Sequence, residues 1–286
     1  MKIKDILAQG KPVLSFEVFP PKEESGFEIV EKAAFEIAEL APAFMSVTYG
    51  AGGGTSKFTV EIAADLKEKF GVTSLAHLTC VSSSREHVHR VVDRLKEHEI
   101  QNIMALRGDI PKDGSMCYDY KFASELIREL KTLGDFCIGG ACYPEGHPEA
   151  RTKTDDIRYL KEKVDAGCDF LTTQMFFDND LLYNFLYQIR EKGITVPVVA
   201  GIMPVTNAKQ MKKILAMSGA QIPKKFRAIV DKFGDHPAAM RQAGVAYATD
   251  QIVDLIANGV HAIHVYSMNK PDVAAQIKNS LSEIIV

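Results

Sequence analysis

The sequence lacks a long apolar run and has almost no net charge. Its 34 Lys and Arg residues against 37 Asp and Glu give a formal charge of −3, so no basic surface for nucleic acid or an anionic membrane is predicted. No segment approaches the roughly 18 apolar residues of a membrane span, and the first residues, MKIKDILAQGKPVLSFE, lack the apolar core of a signal peptide. We therefore predict a soluble, cytoplasmic protein.

Paired cysteines and clustered metal ligands are also lacking. The cysteines are odd in number, contain no CxxC pair, and are predicted to be reduced and mostly buried: Cys80, Cys117, Cys137, Cys142 and Cys168. His87 and His89 stand two apart in a helical pattern and so do not share a face, and we interpret them as solvated surface residues. No metal site is predicted.

What is present is an alternation of strand-like and helix-like segments. Short runs rich in β-branched and aromatic residues occur at 13–20, 44–50, 73–80, 102–109, 137–144, 170–177, 196–203 and 261–268. Amphipathic segments occur at 27–40, 58–70, 86–98, 124–133, 155–167 and 208–219. The pattern predicts an α/β protein, a (β/α)₈ TIM barrel formed by a single catalytic domain over 1–286. Extra helices are predicted between strands 7 and 8, at 222–233 and 236–259; a doubly wound sheet is the rival architecture.

Polar residues gather where the predicted strands end, which is where barrel enzymes build their active sites. The set comprises Glu17, Thr48, Tyr49, His77, Thr79, Arg107, Asp109, Tyr143, Glu145, His147, Thr173, Gln174, His264, Tyr266 and Asn269. No lysine lies inside a strand run, which argues against a Schiff-base aldolase. The glycine-rich GAGGG at 50–54 lacks the third small residue of a dinucleotide fingerprint, because Thr55 stands there, and a pliable loop is the favoured interpretation.

One acidic residue is out of place in this pattern. Glu17 stands inside the apolar strand SFEVFPP, residues 15–21. A carboxylate taken out of water either finds a partner or shifts its pKa toward neutrality. We expect desolvation by Phe16, Val18 and Phe19 to raise the pKa of Glu17, which would make it a proton donor near neutral pH.

Several motifs, in order along the chain, resemble the methylenetetrahydrofolate reductase family. They are SFEVFPPK (15–22), SVTYGAGG (46–53), HLTC (77–80), ALRGD (105–109), YPEGHPEA (143–150), TQMFFD (173–178), GIMPV (201–205) and YSMNK (266–270). The resemblance covers essentially the whole chain. From the end of the sequence at Val286, we expect the form it resembles to be the short bacterial one that consists of the catalytic domain alone.

The resemblance implies a flavoprotein enzyme of one-carbon metabolism and methionine biosynthesis. Such an oxidoreductase acts on a CH–NH donor group and binds FAD at the carboxyl ends of the barrel strands. NADH or NADPH would reduce 5,10-methylenetetrahydrofolate to 5-methyltetrahydrofolate by ping-pong hydride transfer through the flavin. The partners implied are these small molecules and further copies of the chain in a homo-oligomer, with no nucleic acid and no membrane.

The resemblance also assigns roles to single residues. Glu17 would be the general acid that protonates N10 of the folate, and Asp109 a carboxylate between flavin and pterin that stabilises the cationic iminium. Gln174, Gln210 and Lys270 would contact substrate. FAD contacts carry over to Thr48, Tyr49, Ala51, His77, Arg107, Gly108, Asp109, Tyr143, His147, Ala150, Asp156, Tyr159, Glu162 and Lys163. Without the resemblance, Arg107 and Asp109 could equally form a structural ion pair.

The chain departs from the family at one aromatic position. A family aromatic that packs on folate and nicotinamide falls at Ile214, so stacking would have to come from another ring such as Phe176 or Phe177. Two alternative functions stay open. One is a flavin- and folate-binding subunit that takes electrons from an additional electron-transfer subunit. The other is a non-flavin barrel lyase, which would be colourless.

Overall fold

The chain folds as a closed barrel of parallel strands in sequence order. The computed structural model describes residues 1–21, 23–50, 56–81, 83–110, 119–209, 211, 214–215 and 219–285. The strands are β1 (Val13–Val18), β2 (Met45–Val47), β3 (Ser74–Thr79), β4 (Asn102–Leu106), β5 (Cys137–Cys142), β6 (Phe170–Thr173), β7 (Val198–Ile202) and β8 (Ala262–Tyr266). β1 pairs with β8 over Val13–Glu17, which closes the barrel. The predicted (β/α)₈ fold is confirmed.

Helices alternate with the strands around the outside. They are α1 (Ile3–Leu7), α2 (Phe27–Ala38), α3 (Ser56–Phe70), α4 (Arg85–Glu97), α5 (Ala123–Leu133), α6 (Lys153–Asp165), α7 (Asn179–Glu191), α8 (Lys224–Phe233), α9 (Pro237–Ala257) and α10 (Pro271–Ser280). A 3₁₀ turn at Glu24–Gly26 precedes α2. The helices α1, α7 and α10 were not predicted from the sequence. A helical signal for α7 exists, because its buried residues Leu182, Phe185 and Ile189 are three and four apart and Asp178 caps its first turn.

The extra helices predicted between strands 7 and 8 are present as α8 and α9. The ring of Phe226 on α8 stacks on Phe177, beyond the end of β6, with centroids 5.2 Å apart, and lies 4.5 Å from Tyr247 on α9. This contact fixes the inserted helices beside the carboxyl end of the barrel. In the segment 208–219, which was predicted to be helical, residues 208–209, 211 and 214–215 are helical and residue 219 is not. The remaining residues of the segment lie outside the described ranges.

The amino end of the barrel is filled with apolar side chains. Its inner cluster consists of Ile3, Phe44, Leu75, Met104, Cys137, Phe170 and Val199, all 3% exposed or less. α1 closes this end, because the Ile3 amide donates to Asn102 Oδ1 at 2.8 Å and Asn102 Nδ2 donates to the Met1 carbonyl at 3.1 Å. We call this cluster the barrel plug. It leaves the opposite, carboxyl end as the open mouth.

Two further findings concern the described residues only. None of their helices is long and apolar enough to cross a bilayer. Of the cysteines, Cys80, Cys137, Cys142 and Cys168 are buried and carry free thiols, as predicted, while Cys117 lies outside the described ranges.

Candidate active site

Glu17 lies inside the mouth of the barrel among polar side chains from three other strands. Along β1, Ser15 and Glu17 alternate with Phe16 and Val18, which pack outward in the core beneath the helices. Ser46 Oγ on β2 donates to Glu17 Oε2 at 3.3 Å. His77 Nε2 on β3 is 3.7 Å from the same oxygen, and the Glu17 side chain is 20% exposed. The carboxylate is therefore largely buried and still reachable from the mouth.

His264 on β8 joins Glu17 to two serines. Its Nδ1 lies 2.7 Å from Ser15 Oγ and its Nε2 lies 3.0 Å from Ser46 Oγ. Because Ser15 Oγ donates its own proton to the Ile263 carbonyl at 2.9 Å, it accepts from His264 Nδ1–H. This hydrogen bond assigns the tautomer of the ring and leaves Nε2 facing Ser46. The result is a continuous buried chain from Ser15 through His264 and Ser46 to Glu17.

The predicted direction of the Glu17 pKa is wrong. Burial does raise this pKa, but the nearby His264, His77 and Ser46 lower it by more, so the pKa of Glu17 lies below its usual value. Burial lowers the pKa of His77 to about 4, so that ring is neutral at neutral pH. Proton donation by Glu17 thus depends on the whole cluster and on the ligand bound there, because the neighbouring His264, His77 and Ser46 favour the ionised carboxylate that burial alone would disfavour.

The segment after β8 holds the end of β1 in place. Ser267 Oγ donates to the Glu17 carbonyl at 2.5 Å. The Asn269 side chain accepts from the Phe19 amide at 3.0 Å and donates to the Phe19 carbonyl at 2.9 Å. The backbone of Met268 and Asn269 is left-handed, with φ of +54° and +52°. Sequence reasoning missed Ser15, Ser46 and Ser267, whose only signal is a hydroxyl within or beside an apolar strand.

Arg107 and its neighbours follow β4. Arg107 forms a bidentate ion pair with Glu149, at 2.5 and 2.8 Å. The carboxylate that pairs with Arg107 is therefore Glu149, and Asp109 is exposed beyond it. Gly108 has φ of +85°, and a Cβ there would lie 3.0 Å from Thr79 Cβ. Only glycine fits this turn without strain.

A second polar group follows β5. The rings of Tyr143 and His147 meet edge to face at 4.6 Å, and the His147 amide donates to Asp156 Oδ2 at 3.1 Å. Lys163 Nζ donates to the Ala141 carbonyl at 2.5 Å. Burial lowers the pKa of Lys163 and raises the pKa of Asp156. Of the other residues predicted here, Ala150 is half-buried, and Tyr159 and Glu162 are exposed on α6.

The residues predicted after β2 are only partly described. Thr48 is half-buried and its amide donates to the Val18 carbonyl at 3.0 Å. Tyr49 Oη lies 2.8 Å from His87 Nε2 on α4. The solvated interpretation of His87 is therefore wrong, and His89 is bound too, 2.6 Å from Glu129 Oε1. Ala51 lies outside the described residues.

Three further residues predicted to contact substrate are Gln174, Gln210 and Lys270, which follow different strands. Gln174 follows β6, and its backbone N–H donates to the Cys142 carbonyl at 2.7 Å. Lys270 Nζ donates to Thr206 Oγ1 at 2.7 Å. Gln210 lies outside the described ranges. Phe176 and Phe177 are 0% and 2% exposed, so neither ring can stack on a ligand in this structure. That suggestion is wrong because both rings pack into the core.

Comparison with known proteins matches this chain to one family over nearly its full length. A family model of methylenetetrahydrofolate reductase matches residues 2–282. The 5,10-methylenetetrahydrofolate reductase of Pectobacterium carotovorum subsp. carotovorum is 36% identical over 273 residues, 96% of this chain and 91% of the relative. The Escherichia coli (strain K12) enzyme of the same name is 34% identical over 96% of this chain and 92% of its own.

Plant and structural relatives agree. Methylenetetrahydrofolate reductase (NADH) 1 of Arabidopsis thaliana is 34% identical over 94% of this chain. The chain spans about half the length of the curated plant relatives it matches. Among solved structures, a Clostridium thermocellum protein described as binding two copies of 5-methyl-5,6,7,8-tetrahydrofolic acid has a TM-score of 0.68 at 13% identity, covering 99% of both chains. It supports the fold alone. By the family match and these identities, the chain belongs to the methylenetetrahydrofolate reductase family.

Proposed function

We propose that this protein reduces 5,10-methylenetetrahydrofolate to 5-methyltetrahydrofolate with FAD as cofactor and NADH or NADPH as reductant. The observation that carries the proposal is the hydrogen-bonded chain Ser15–His264–Ser46–Glu17 at the mouth of the barrel, in a member of this family. This chain places the Glu17 carboxyl group, hydrogen-bonded to groups that can share its proton, at the end of the barrel where barrel enzymes bind substrate.

The residues present fit a flavin dinucleotide. His77 Nε2 is buried and lacks a hydrogen-bond partner among the described residues, which is costly unless a ligand satisfies it. Arg107 and Lys163 supply positive charge for a diphosphate, and Asp156 could accept from ribose hydroxyls. The glycine at position 108 lets backbone approach closely. Bound there, FAD would supply hydride transfer, accepting a hydride from the nicotinamide and delivering it to the folate carbon.

The buried chain can hold one proton in two arrangements. With the proton on His264, Nε2–H donates to Ser46 Oγ and the Ser46 hydroxyl donates to ionised Glu17. With the proton on Glu17, the carboxyl donates to Ser46 Oγ, and the Ser46 hydroxyl donates to neutral Nε2. Both arrangements use the same heavy-atom positions. A bound ligand that displaces water would favour the uncharged arrangement, in which Glu17 can protonate N10 and open the ring to the iminium.

The remaining assignments follow from charge and position. Asp109, exposed just beyond β4, would stabilise the cationic iminium. Gln174 has an amide suited to both the pterin and the nicotinamide. Lys270, beside Thr206, would face the glutamyl carboxylate of the folate. The reductant preference and the homo-oligomeric state stay predictions.

The test is an anaerobic absorbance spectrum of the FAD-loaded protein. Flavin bands that bleach with NADH or NADPH and return with methylenetetrahydrofolate are the expected result. A yellow protein that neither reductant bleaches would favour the subunit that depends on an electron-transfer partner. A colourless protein that does not bind added FAD would overturn the proposal.

A further inference from the structure

Phe19 continues the alternation of β1 beyond the last residue of the strand. Ser15 and Glu17 face the barrel interior, so the next position on that side is Phe19, two residues and about 6–7 Å closer to the mouth. Its side chain is 39% exposed. An apolar ring therefore stands at the rim, directly outward of the candidate acid.

The backbone of Phe19 is held as a strand would be, although β1 formally ends at Val18. The Asn269 side chain accepts from the Phe19 backbone N–H at 3.0 Å and donates to the Phe19 carbonyl at 2.9 Å. These are the backbone groups that a neighbouring strand would otherwise pair with. The register agrees, because β1 pairs with β8 up to Glu17 and Tyr266. The left-handed backbone of Asn269 turns its amide toward β1. The backbone from which the Phe19 ring projects is thus held in place before any ligand binds.

Other exposed aromatic rings do not share this placement. Among the large exposed aromatics in the described ranges, Phe122 precedes α5, while Tyr159 and Tyr187 lie on the outer helices α6 and α7. Phe176 and Phe177 are buried, and Ile214 is aliphatic. Phe19 is the exposed aromatic in the same side-chain row as Glu17.

The chemistry of the substrate indicates which ring would meet Phe19. In methylenetetrahydrofolate, N10 is bonded directly to the p-aminobenzoyl ring, which leads outward to the glutamate. If Glu17 protonates N10, the p-aminobenzoyl ring is the next group toward solvent, which is the direction in which Phe19 stands. We propose that Phe19 packs against the p-aminobenzoyl ring of the folate, and that Asn269 is its positioning residue. This inference rests on the proposed function.

The absence of tryptophan from the chain allows a direct test. Phe19→Trp introduces a single tryptophan at the rim, and Phe122→Trp is a matched variant at another exposed phenylalanine. In the FAD-loaded protein, 5-methyltetrahydrofolate should quench Phe19→Trp emission saturably, beyond the absorbance effect measured with Phe122→Trp. Equal quenching in both variants would overturn the proposal.

Kinetics of the two half-reactions give an independent measurement. Phe19→Ala should raise the KM for methylenetetrahydrofolate about three- to tenfold, the range expected for one aromatic contact. Phe19→Tyr should restore it, and NADH-driven bleaching of the flavin should be unchanged in both. Asn269→Gly keeps the left-handed backbone accessible and removes the amide, and should raise the same KM.

Two results would contradict the role of Phe19. An unchanged folate KM in Phe19→Ala would do so, and so would an equal loss in both half-reactions, which would indicate a structural role. These are distinct from failure of the proposed function, in which the wild-type protein itself shows no folate-dependent return of the flavin bands.

Discussion

The two ends of the barrel interior use the same strands for different purposes. On β3, Leu75 belongs to the apolar plug and His77, two residues later, lies 3.7 Å from Glu17. On β6, Phe170 fills the plug, and Thr173 accepts at its carbonyl from Tyr266 Oη at 2.5 Å in the mouth. The plug contributes stability by excluding water. The mouth keeps buried polar groups, including His77 Nε2, which has no hydrogen-bond partner among the described residues, and this costs stability.

The largest effect should come from removing the acid at the mouth. Glu17→Gln keeps the shape of the side chain and removes the ionisable carboxyl group that would donate the proton. Reduction of methylenetetrahydrofolate should therefore fall about 10²- to 10⁴-fold. Flavin reduction by NADH, which needs no such proton, should be nearly unchanged. Stopped-flow measurement of the two half-reactions checks this. An equal loss in both would mean that Glu17 is structural.

A substitution in the barrel plug should have the opposite effect, lowering stability and leaving the activity intact. Leu75→Ala opens a cavity at a fully buried position and should lower the free energy of unfolding by about 2–5 kcal/mol, with folate reduction at low temperature retained. Ile29→Ala, at a 75% exposed position on α2, should change stability by less than about 0.5 kcal/mol. Urea denaturation monitored by circular dichroism compares the two. A Leu75→Ala variant that is fully stable but inactive would break the distinction between the two ends.

His77 should give the chain a pH-dependent stability. Its pKa in the folded chain is about 4, below the value of about 6.5 expected when unfolded. The unfolded chain therefore binds more protons between these values, and stability falls as the pH drops from 6.5 toward 4. The loss by pH 4.5 should be about 2.5 kcal/mol.

The matched variant for this pH dependence is His77→Leu. This substitution removes the titrating imidazole, so the stability of the variant should fall less between pH 7 and pH 4.5, and the affinity for FAD should decrease. Urea unfolding at the two pH values and flavin titration measure both effects. An unchanged pH slope in the variant would show that His77 is not the group responsible.

The smallest effect is predicted at the outer edge of the mouth. Glu149, which is 57% exposed, forms an ion pair with the guanidinium of Arg107. A diphosphate that binds Arg107 therefore has to compete with this carboxylate. Glu149→Gln should tighten FAD binding by up to about fivefold, the range of an exposed ion pair, and less in high salt. Flavin fluorescence titration checks it against Glu97→Gln on α4. Weaker binding would mean that Glu149 orients Arg107 for the cofactor.

The strands and their order could be predicted from the sequence because each strand is a short contiguous run of β-branched and aromatic residues. It also placed Glu17 at a strand end. It gave the wrong pKa direction because the partners of Glu17 are distant in sequence: Ser46 is 29 residues away, and the Ser46–His264 bond spans 218. Burial can be read from neighbours in the chain, but compensation by distant hydrogen bonds cannot. For the same reason Phe176 and Phe177 looked available, although Phe176 packs in the main core and Phe226 of the inserted helix α8 stacks on Phe177.

Pairing of β1 with β8 has a consequence for how the protein is made. The Ser15–His264 bond joins residues 249 apart, so during synthesis β1 is finished long before its partner exists. Contacts of such sequence separation form late in folding. Glu17 acquires Ser46 from a nearby strand but acquires His264, Ser267 and Asn269 only when the ring of strands is complete. A chain interrupted before β8 would carry the acid with Ser46 and His77 but without His264, the member of the buried chain that can share its proton.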